Sequence, residues 1–554
     1  MTSTRCSIVS AYLIIFRGYL FMDKVWLKHY PDYIRKEISI PDEPITEILK
    51  KSITHYGDNP ALYFYGNEMT YKRLGELVDS FTAALQQEAF EQGERVAIML
   101  PNCPQYVISY YGILQAGGIV TQLNPMLVEK ELEYILNDSD AETIIIYEHL
   151  LPVLRSIIEN TSVKRIITVN FEGKDTRDSV AIEFNSFLKR AKQLPVEVAF
   201  NPSEDIAVLQ YTGGTTGRSK GAMLTHRNLF ANVLQTYEYF RDTMELGKER
   251  TLTAIPLFHV YGMTSAMNLS IFIGAKSILL PKFEIQEVLQ TIKETKPTSF
   301  PGVPTMYIAL INHPDVEAYG LDSIRTCNSG SAPMPVELLK KFQEKTGAKI
   351  LEGYGLTETS PTTHCNPSFG NRKPGSVGIG VPSTDYKIVD LEEGSKELPP
   401  GEIGEVIIKG PQVMKGYWNM PEETENALRD GWLYTGDIAY MDEEGYLFIV
   451  DRKKDLIIAS GYNVYPRDVE EVIYQHPAVQ EAVAIGVPDS YRGETVKAVI
   501  VLKDGMKCDE EELIAFCKKN LSAYKVPRII EFRKELPKTA VGKILRRQIR
   551  EETV

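Results

Sequence analysis

From about Thr46 to Lys282 the chain sets short apolar runs beside longer segments of helical period. Arg95–Leu100 is one such run, and Tyr71–Gln87 is the helical segment ahead of it. Ala141–Tyr147, Arg165–Val169 and Lys276–Leu280 are apolar with little alternation, which predicts strands buried on both faces inside α/β layers. Beyond Gly370 the pattern turns to short strands between Gly and Pro turns, as at Gly401–Gly404, Gly410–Pro411 and Asp442–Gly445. A β-rich subdomain is expected there. After the charged run Asp451–Asp455 the rhythm restarts. Pro466 opens a predicted helix with Val469, Val472 and Ile473 on one face, while Val496, Ala498, Ile500 and Leu502 alternate along a strand whose intervening Val499 and Val501 are also apolar. The fold class predicted is α/β. A large N-terminal domain of layered α/β subdomains plus the β-rich subdomain spans 22–450, a hinge 451–455, and a small α+β C-terminal domain 456–554. Residues 8–16 are apolar between Arg5 and Arg17, too short to span a bilayer, and Met22 follows; residues 1–21 read as a disordered extension or a misplaced start.

Composition narrows the class. With 554 residues, 43% hydrophobic and 24% charged, the chain can bury large cores, which excludes disorder, coiled coil and collagen. A net charge of −13 counts against binding a phosphate backbone, so no nucleic-acid partner is expected. The six cysteines, Cys6, Cys103, Cys327, Cys365, Cys508 and Cys517, show no C-x-x-C pair or metal-ligand spacing and read as buried, reduced thiols in a cytoplasmic protein. Beyond the N-terminus no apolar run reaches the ~18 residues of a membrane span, which leaves room for peripheral membrane contact only.

The strongest chemical signal is Leu209–Gly221, a Gly/Thr loop after the apolar strand Ile206–Leu209. Gly213, Gly214 and Gly217 let backbone N–H groups converge on an anion; Thr212, Thr215 and Thr216 add hydroxyls, and Lys220 adds charge. The loop fits phosphates. It is not a Walker A loop, because Ser219 precedes and Gly221 follows the lysine. Pro374–Gly378 misses the G-x-S-x-G pattern, placing Ser376 in a turn, and His226 reads as a helix-start packing residue rather than a base.

This loop resembles the phosphate-loop signature of the adenylate-forming superfamily of acyl-CoA synthetases, luciferases and peptide-synthetase adenylation domains, which usually has proline where this chain has Ser219. The superfamily's other elements follow in order. Ser329–Pro333, with Gly330, Ser331 and Ala332, and Glu352–Glu358, with Glu352, Gly353 and Tyr354, resemble its adenine-binding turns. The resemblance implies that Tyr354 covers the base, Thr357 touches the α-phosphate side and Glu358 holds Mg²⁺ together with Thr212. Asp437 in Trp432–Asp437 resembles the ribose clamp, although on spacing alone it is equally a turn residue. Arg452 and Lys454 resemble the hinge, with Arg452 near the ribose and phosphates. Lys543, in Leu536–Arg547, resembles the catalytic lysine of the C-terminal loop. The resemblance covers about Pro44 to Glu551.

It implies a two-step reaction with ATP, Mg²⁺ and coenzyme A. A small domain that rotates about Lys454 would bring Ser460–Asn463, with Gly461 and Tyr462, to the coenzyme A tunnel. Ile255–Met263 resembles the acyl-pocket motif, with His259, Val260 and Met263 as substrate-binding residues. His259 stands where amino-acid-activating relatives carry aspartate, and Met263 stands at the gate aromatic of the bacterial long-chain fatty acid–CoA ligases, the group of closest overall resemblance. The predicted function is therefore ATP-dependent activation of a medium- to long-chain fatty acid and its transfer to coenzyme A. An aryl-acid (coumarate-type) CoA ligase, a luciferase-like monooxygenase, a ligase loading a carrier protein and a nucleotide-binding scaffold without catalysis are the alternatives. A homodimer is compatible with the sequence.

Overall fold

Apolar runs without alternation fold into strands that bury both faces, and they assemble here into two large mixed sheets. In this computed structural model the described residues are 24–171, 181–212, 218–332, 334, 336–459, 462–489, 493–540 and 542–553. Residues 1–21 lie outside them.

The first sheet has eight strands, ordered Gly416–Tyr417, Lys220–Thr225, Ile206–Thr212, Ile119–Gln122, Arg95–Met99, Thr143–Tyr147, Arg165–Val169 and Ile182–Glu183. From Ile206–Thr212 to Ile182–Glu183 its neighbours run parallel, and Lys220–Thr225 returns antiparallel with Thr212 opposite Lys220. The second sheet has nine strands, with Pro60–Phe64, Lys276–Leu279, Arg250–Thr253, Ser299–Gly302, Thr326–Ser329 and Lys349–Gly355 in parallel register at its centre. Helices Tyr71–Gln87 and Pro104–Gln115 pack between the layers. Tyr71, Phe81, Tyr106, Tyr110 and Tyr111 are fully buried there, in one core with Val96, Ile98 and Met263.

The β-rich subdomain is an antiparallel five-stranded sheet of Asp385–Val389, Gly404–Lys409, Trp432–Met441, Leu428–Arg429 and Leu447–Arg452. The N-terminal segment belongs to its core: Trp26 lies against Tyr386, ring centroids 4.1 Å apart, and Tyr30 is buried beside it. Gly445 (φ +88°) makes this approach possible, because a Cβ there would lie 2.8 Å from that of Trp26.

The smaller C-terminal domain is a second five-stranded sheet, built on Val479–Asp489 and Gly493–Leu502, with helices Pro466–Tyr474 and Glu510–Asn520. The alternation read from Val496 to Leu502 does place Val496, Ala498 and Ile500 in one core with Val469 and Ile473. Val499 and Val501 enter a second core on the opposite face with Leu536 and Ile549. That strand is covered on both sides. Among the described residues no helix is long and apolar enough to cross a membrane.

Candidate active site

Three parts of the large domain and the C-terminal loop converge. The hairpin that carries the phosphate loop leaves the first sheet at Thr212 and re-enters it at Lys220. Gly213, Gly214, Thr215, Thr216 and Gly217 lie outside the described residues, but both ends of the loop are held. The Ser219 hydroxyl donates to the Thr212 carbonyl at 2.8 Å, and Tyr134 donates to the Ser219 carbonyl at 3.1 Å. Where the superfamily usually has proline, this chain thus closes the loop's base with a hydrogen bond. Lys220 pairs with Glu423 and lies over the Tyr417 ring, 5.0 Å from its centroid. Tyr417 in turn donates to Glu358 Oε1 at 2.7 Å. Lys220 and Glu358 are therefore linked through Tyr417, a residue that carries no motif signal in the sequence.

The adenine-type turns lie at adjacent strand ends, Ser329 opposite Glu352. Ser331 sits at φ +67°, and the Cβ of a residue replacing Gly330 would lie 3.2 Å from the Tyr261 ring. Glu352 is buried. One carboxylate oxygen accepts from the Met334 N–H at 3.1 Å, and the other has no partner among the described residues, so burial pushes its carboxyl up to about 7. Gly353 continues the strand opposite Cys365. Tyr354 donates to Asp437 Oδ2 at 2.6 Å, and Arg452 Nε lies 3.3 Å from Oδ1 of the same carboxylate. Asp437 and Arg452 face each other across paired strands, which fixes this contact.

Lys543 reaches that cluster. Its loop is closed by Thr539, whose hydroxyl accepts from the Lys543 N–H at 3.1 Å and whose own N–H donates to the Lys543 carbonyl at 2.8 Å. Gly542, at φ +72°, sits so close to the large domain that a Cβ would lie 2.3 Å from the Thr305 hydroxyl. Burial, followed by the repulsion of Arg452, draws the Lys543 ammonium down to about 7; Asp437 opposes the shift, and Arg546 and Lys454 reinforce it. Lys454 is also lowered, first by burial and then by Arg452. On the acyl side, burial and then Lys543 lower His259 to about 4, leaving it neutral, and its Nδ1 accepts from the Tyr261 N–H at 3.2 Å.

Other predicted site residues fall elsewhere. Val260 and Met263 are core residues, packed with Leu257 and Leu269. Directly after His259 the chain forms a wide π-helix, Gly262–Asn268, a form frequent at functional sites and unannounced by the sequence pattern. Thr357 opens a short 3-10 turn beside Glu358. Tyr462 is not in the cluster: it is 57% exposed and stacks on Tyr524 at 4.8 Å. Gly461 lies outside the described residues. His226 is a buried first residue of its helix, accepting from the Ile45 N–H at 3.3 Å, as its packing reading required. Ser376 sits in a turn, bonded to Leu447. One cysteine departs from expectation: Cys103, Cys327, Cys365 and Cys517 are buried, but Cys508 is half-exposed, because it precedes a surface helix rather than entering a strand.

Sequence reasoning missed the residues that anchor the lysine loop. Arg546 bonds Glu470 through both carboxylate oxygens at 2.6 Å and lies 3.6 Å from Asp451. The Arg467 N–H donates to Asp451 at 3.0 Å, and its guanidinium donates to the Ile449 carbonyl at 2.5 Å. Arg546 was visible three residues beyond Lys543; its partners, some 75 and 95 positions away, were not.

The family model described as AMP-binding enzyme matches residues 49–418, and that of the AMP-binding enzyme C-terminal domain matches 468–543. The long-chain-fatty-acid–CoA ligase of Bacillus subtilis is 50% identical over 550 residues, spanning 96% of this chain and 98% of that protein. The enzyme of the same name from Escherichia coli is 41% identical over 557 residues, with 96% and 98% covered. A crystal structure of an anthranilate CoA ligase in complex with anthranoyl-AMP superposes with a TM-score of 0.86 at 31% identity, covering 93% of this chain and 98% of that one.

Proposed function

The chain belongs to the family of AMP-binding enzymes, and on that premise we propose that Lys543, Arg452, Asp437, Tyr354 and Glu358 form its adenylation site. The enzyme is a long-chain fatty acid–CoA ligase: it activates a fatty acid with ATP and transfers the acyl group to coenzyme A, releasing AMP and pyrophosphate. The observation that supports this site assignment is the docking of the C-terminal loop, which brings Lys543 beside the Asp437–Arg452 pair.

The residues fit a nucleotide. Arg452, Lys454 and Lys543 gather three cationic groups near Asp437, with Asp455 also facing Arg452 and Lys454, and a polyphosphate would relieve the repulsion among the cations. Asp437, an acceptor when ionised, suits a sugar diol. The Glu358 carboxylate and Thr212 hydroxyl are oxygen donors suited to Mg²⁺, which would neutralise phosphate charge. In the first step a carboxylate oxygen of the acid bonds to the α-phosphorus and pyrophosphate leaves with the electron pair. Positioning and charge stabilisation matter more here than a base, because the acid is already ionised. Lys543 supplies that stabilisation, and neutral His259 borders the acyl side without adding charge. In the second step the coenzyme A sulfur bonds to the acyl carbon, the thiol proton passes to solvent and AMP leaves with the electron pair of the broken acyl–oxygen bond; the thiol must approach the face that the lysine loop covers, so the small domain turns about Lys453–Asp455. Gly461 and Tyr462 then line the thiol's path. A long-chain acid partitions into lipid, so this reading includes peripheral membrane contact in a cytoplasmic setting.

An aryl acid is the second reading, favoured by the anthranilate ligase likeness at 31% identity but outweighed by 50% identity to a fatty-acid enzyme. A panel of acids, acetate through oleate plus coumarate, scored for ATP-dependent pyrophosphate release with and without coenzyme A, decides between them. Turnover of oleate above coumarate, with thioester formed on free coenzyme A, is expected. Preference for coumarate, or for a carrier protein as acceptor, overturns the assignment.

A further inference from the structure

Away from the adenylation site, the C-terminal domain brings together three side chains that the sequence spaces widely. His476 follows helix Pro466–Tyr474, Cys508 precedes helix Glu510–Asn520, and Glu512 lies in that helix's first turn, which Asp509 caps by accepting from the Glu512 N–H at 2.8 Å. The His476 ring is 93% buried and held edge-on against Phe516, centroids 5.0 Å apart. Its Nε2 faces Cys508 Sγ at 4.0 Å and Glu512 Oε1 at 3.7 Å, and the three atoms lie within 4.8 Å of one another.

The His476–Glu512 separation suits an ion better than a hydrogen bond. An N–H···O bond spans about 2.7–3.2 Å, and 3.7 Å is too long. Around a tetrahedral cation with bonds of about 2.0–2.3 Å, two ligand atoms stand roughly 3.3–3.6 Å apart. Contraction is needed, and the two less buried members supply it: Cys508 lies in the loop ahead of its helix, and Glu512 has 57% of its side chain exposed. Nδ1 of His476 accepts from the Ala478 N–H at 3.4 Å, the outer limit of a hydrogen bond; freeing Nε2 moves the ring proton to Nδ1, and this weak contact is then lost and the ring must turn slightly from that N–H.

We propose that His476 Nε2, Cys508 Sγ and Glu512 Oε1 form a zinc-binding site, with the fourth position open to water. A thiolate, an imidazole and one carboxylate select Zn²⁺ over Mg²⁺ or Ca²⁺, which take oxygen ligands. On binding, the Cys508 thiol loses its proton to solvent and the sulfur donates its electron pair to the metal. The ion ties helix Glu510–Asn520 to the turn after helix Pro466–Tyr474. That second helix carries Arg467 and Glu470, the residues holding the hinge strand and Arg546. The site is therefore a staple behind the catalytic loop.

The test uses the reduced full-length protein, stripped by chelator, loaded with Zn²⁺ or Co²⁺ and desalted. Wild type is expected to retain one metal per chain, and the cobalt form to show thiolate-to-metal charge-transfer absorption. Cys508→Ser should abolish that band. His476→Gln should weaken retention by at least the ~10–100-fold that losing even a supporting partner of a ligand costs. ATP–pyrophosphate exchange by both variants reports that they fold, independently of metal content. Failure of wild type to retain metal, or equal retention by Cys508→Ser, overturns the proposal.

Discussion

Lys543 is the residue on which charge and geometry act most strongly. Loss of one oriented group facing developing charge costs about 2.7–4 kcal/mol, so Lys543→Ala should slow adenylation roughly a hundredfold or more, read as pyrophosphate release in a single turnover. Its lowered pKa adds a second expectation. An exposed lysine is protonated well above pH 9, whereas in the closed, nucleotide-free arrangement Lys543 loses its proton near pH 7. Closing therefore expels a proton and becomes more favourable as pH rises above 7; bound polyphosphate restores the charge. ATP binding near pH 8 should then take up a proton, seen as a calorimetric heat that varies with buffer ionisation enthalpy and vanishes in Lys543→Ala. Asp437→Asn removes an ionised acceptor from Tyr354 and Arg452. A hydrogen bond to a charged group is worth about 1.5–3 kcal/mol, so ATP binding should weaken about 10- to 100-fold, measured as a rise in KM for ATP.

Among the elements, the strand Leu447–Arg452 and the turn Lys453–Asp455 bear most on the mechanism. The sequence run Asp451–Asp455 reads as one hinge, yet Asp451 and Arg452 are paired into the sheet opposite Ile438 and Asp437, so the pivot proposed above falls on the turn Lys453–Asp455. Lys454→Pro should hamper thioester formation more than adenylation; equal loss of both in single-turnover assays would count against the pivot. The first large sheet was legible in part because strands such as Thr143–Tyr147 and Arg165–Val169 are mostly apolar runs, whereas of the second only Lys276–Leu279 was, since Arg250–Thr253 and Thr326–Ser329 carry too many polar residues to stand out. The nucleotide turns were legible because glycine, threonine and acid recur at fixed spacing. What was hidden depends on long-range pairing: Tyr417 reaching Glu358, Glu423 reaching Lys220, and Arg546 reaching Glu470 and Asp451. An isolated tyrosine or acid in a turn carries no periodicity, and the widened helix Gly262–Asn268 keeps a helical hydrophobic pattern, so neither announces itself.

At the scale of the whole molecule, no hydrophobic core among the described residues spans the two domains, which meet through polar groups. Asp451 accepts from Arg467 and faces Arg546, and burial pushes its carboxyl up to about 6, so the contact carries most charge above that pH. Gly542 allows the lysine loop to lie flush on Thr305. Gly542→Ala should hold the domains apart, lowering adenylation while sparing thioester formation from supplied acyl-adenylate, measured as the ratio of the two half-reactions. The gathering of Arg452, Lys454 and Lys543 makes the grip of the lysine loop depend on the charge it encloses. On the proposed mechanism the triphosphate keeps Lys543 protonated and holds it in place; once pyrophosphate departs with most of the counter-charge, the lysine can shed its proton and its hold on the adenylate weakens. Product release in the first half-reaction would then favour the opening that the second requires.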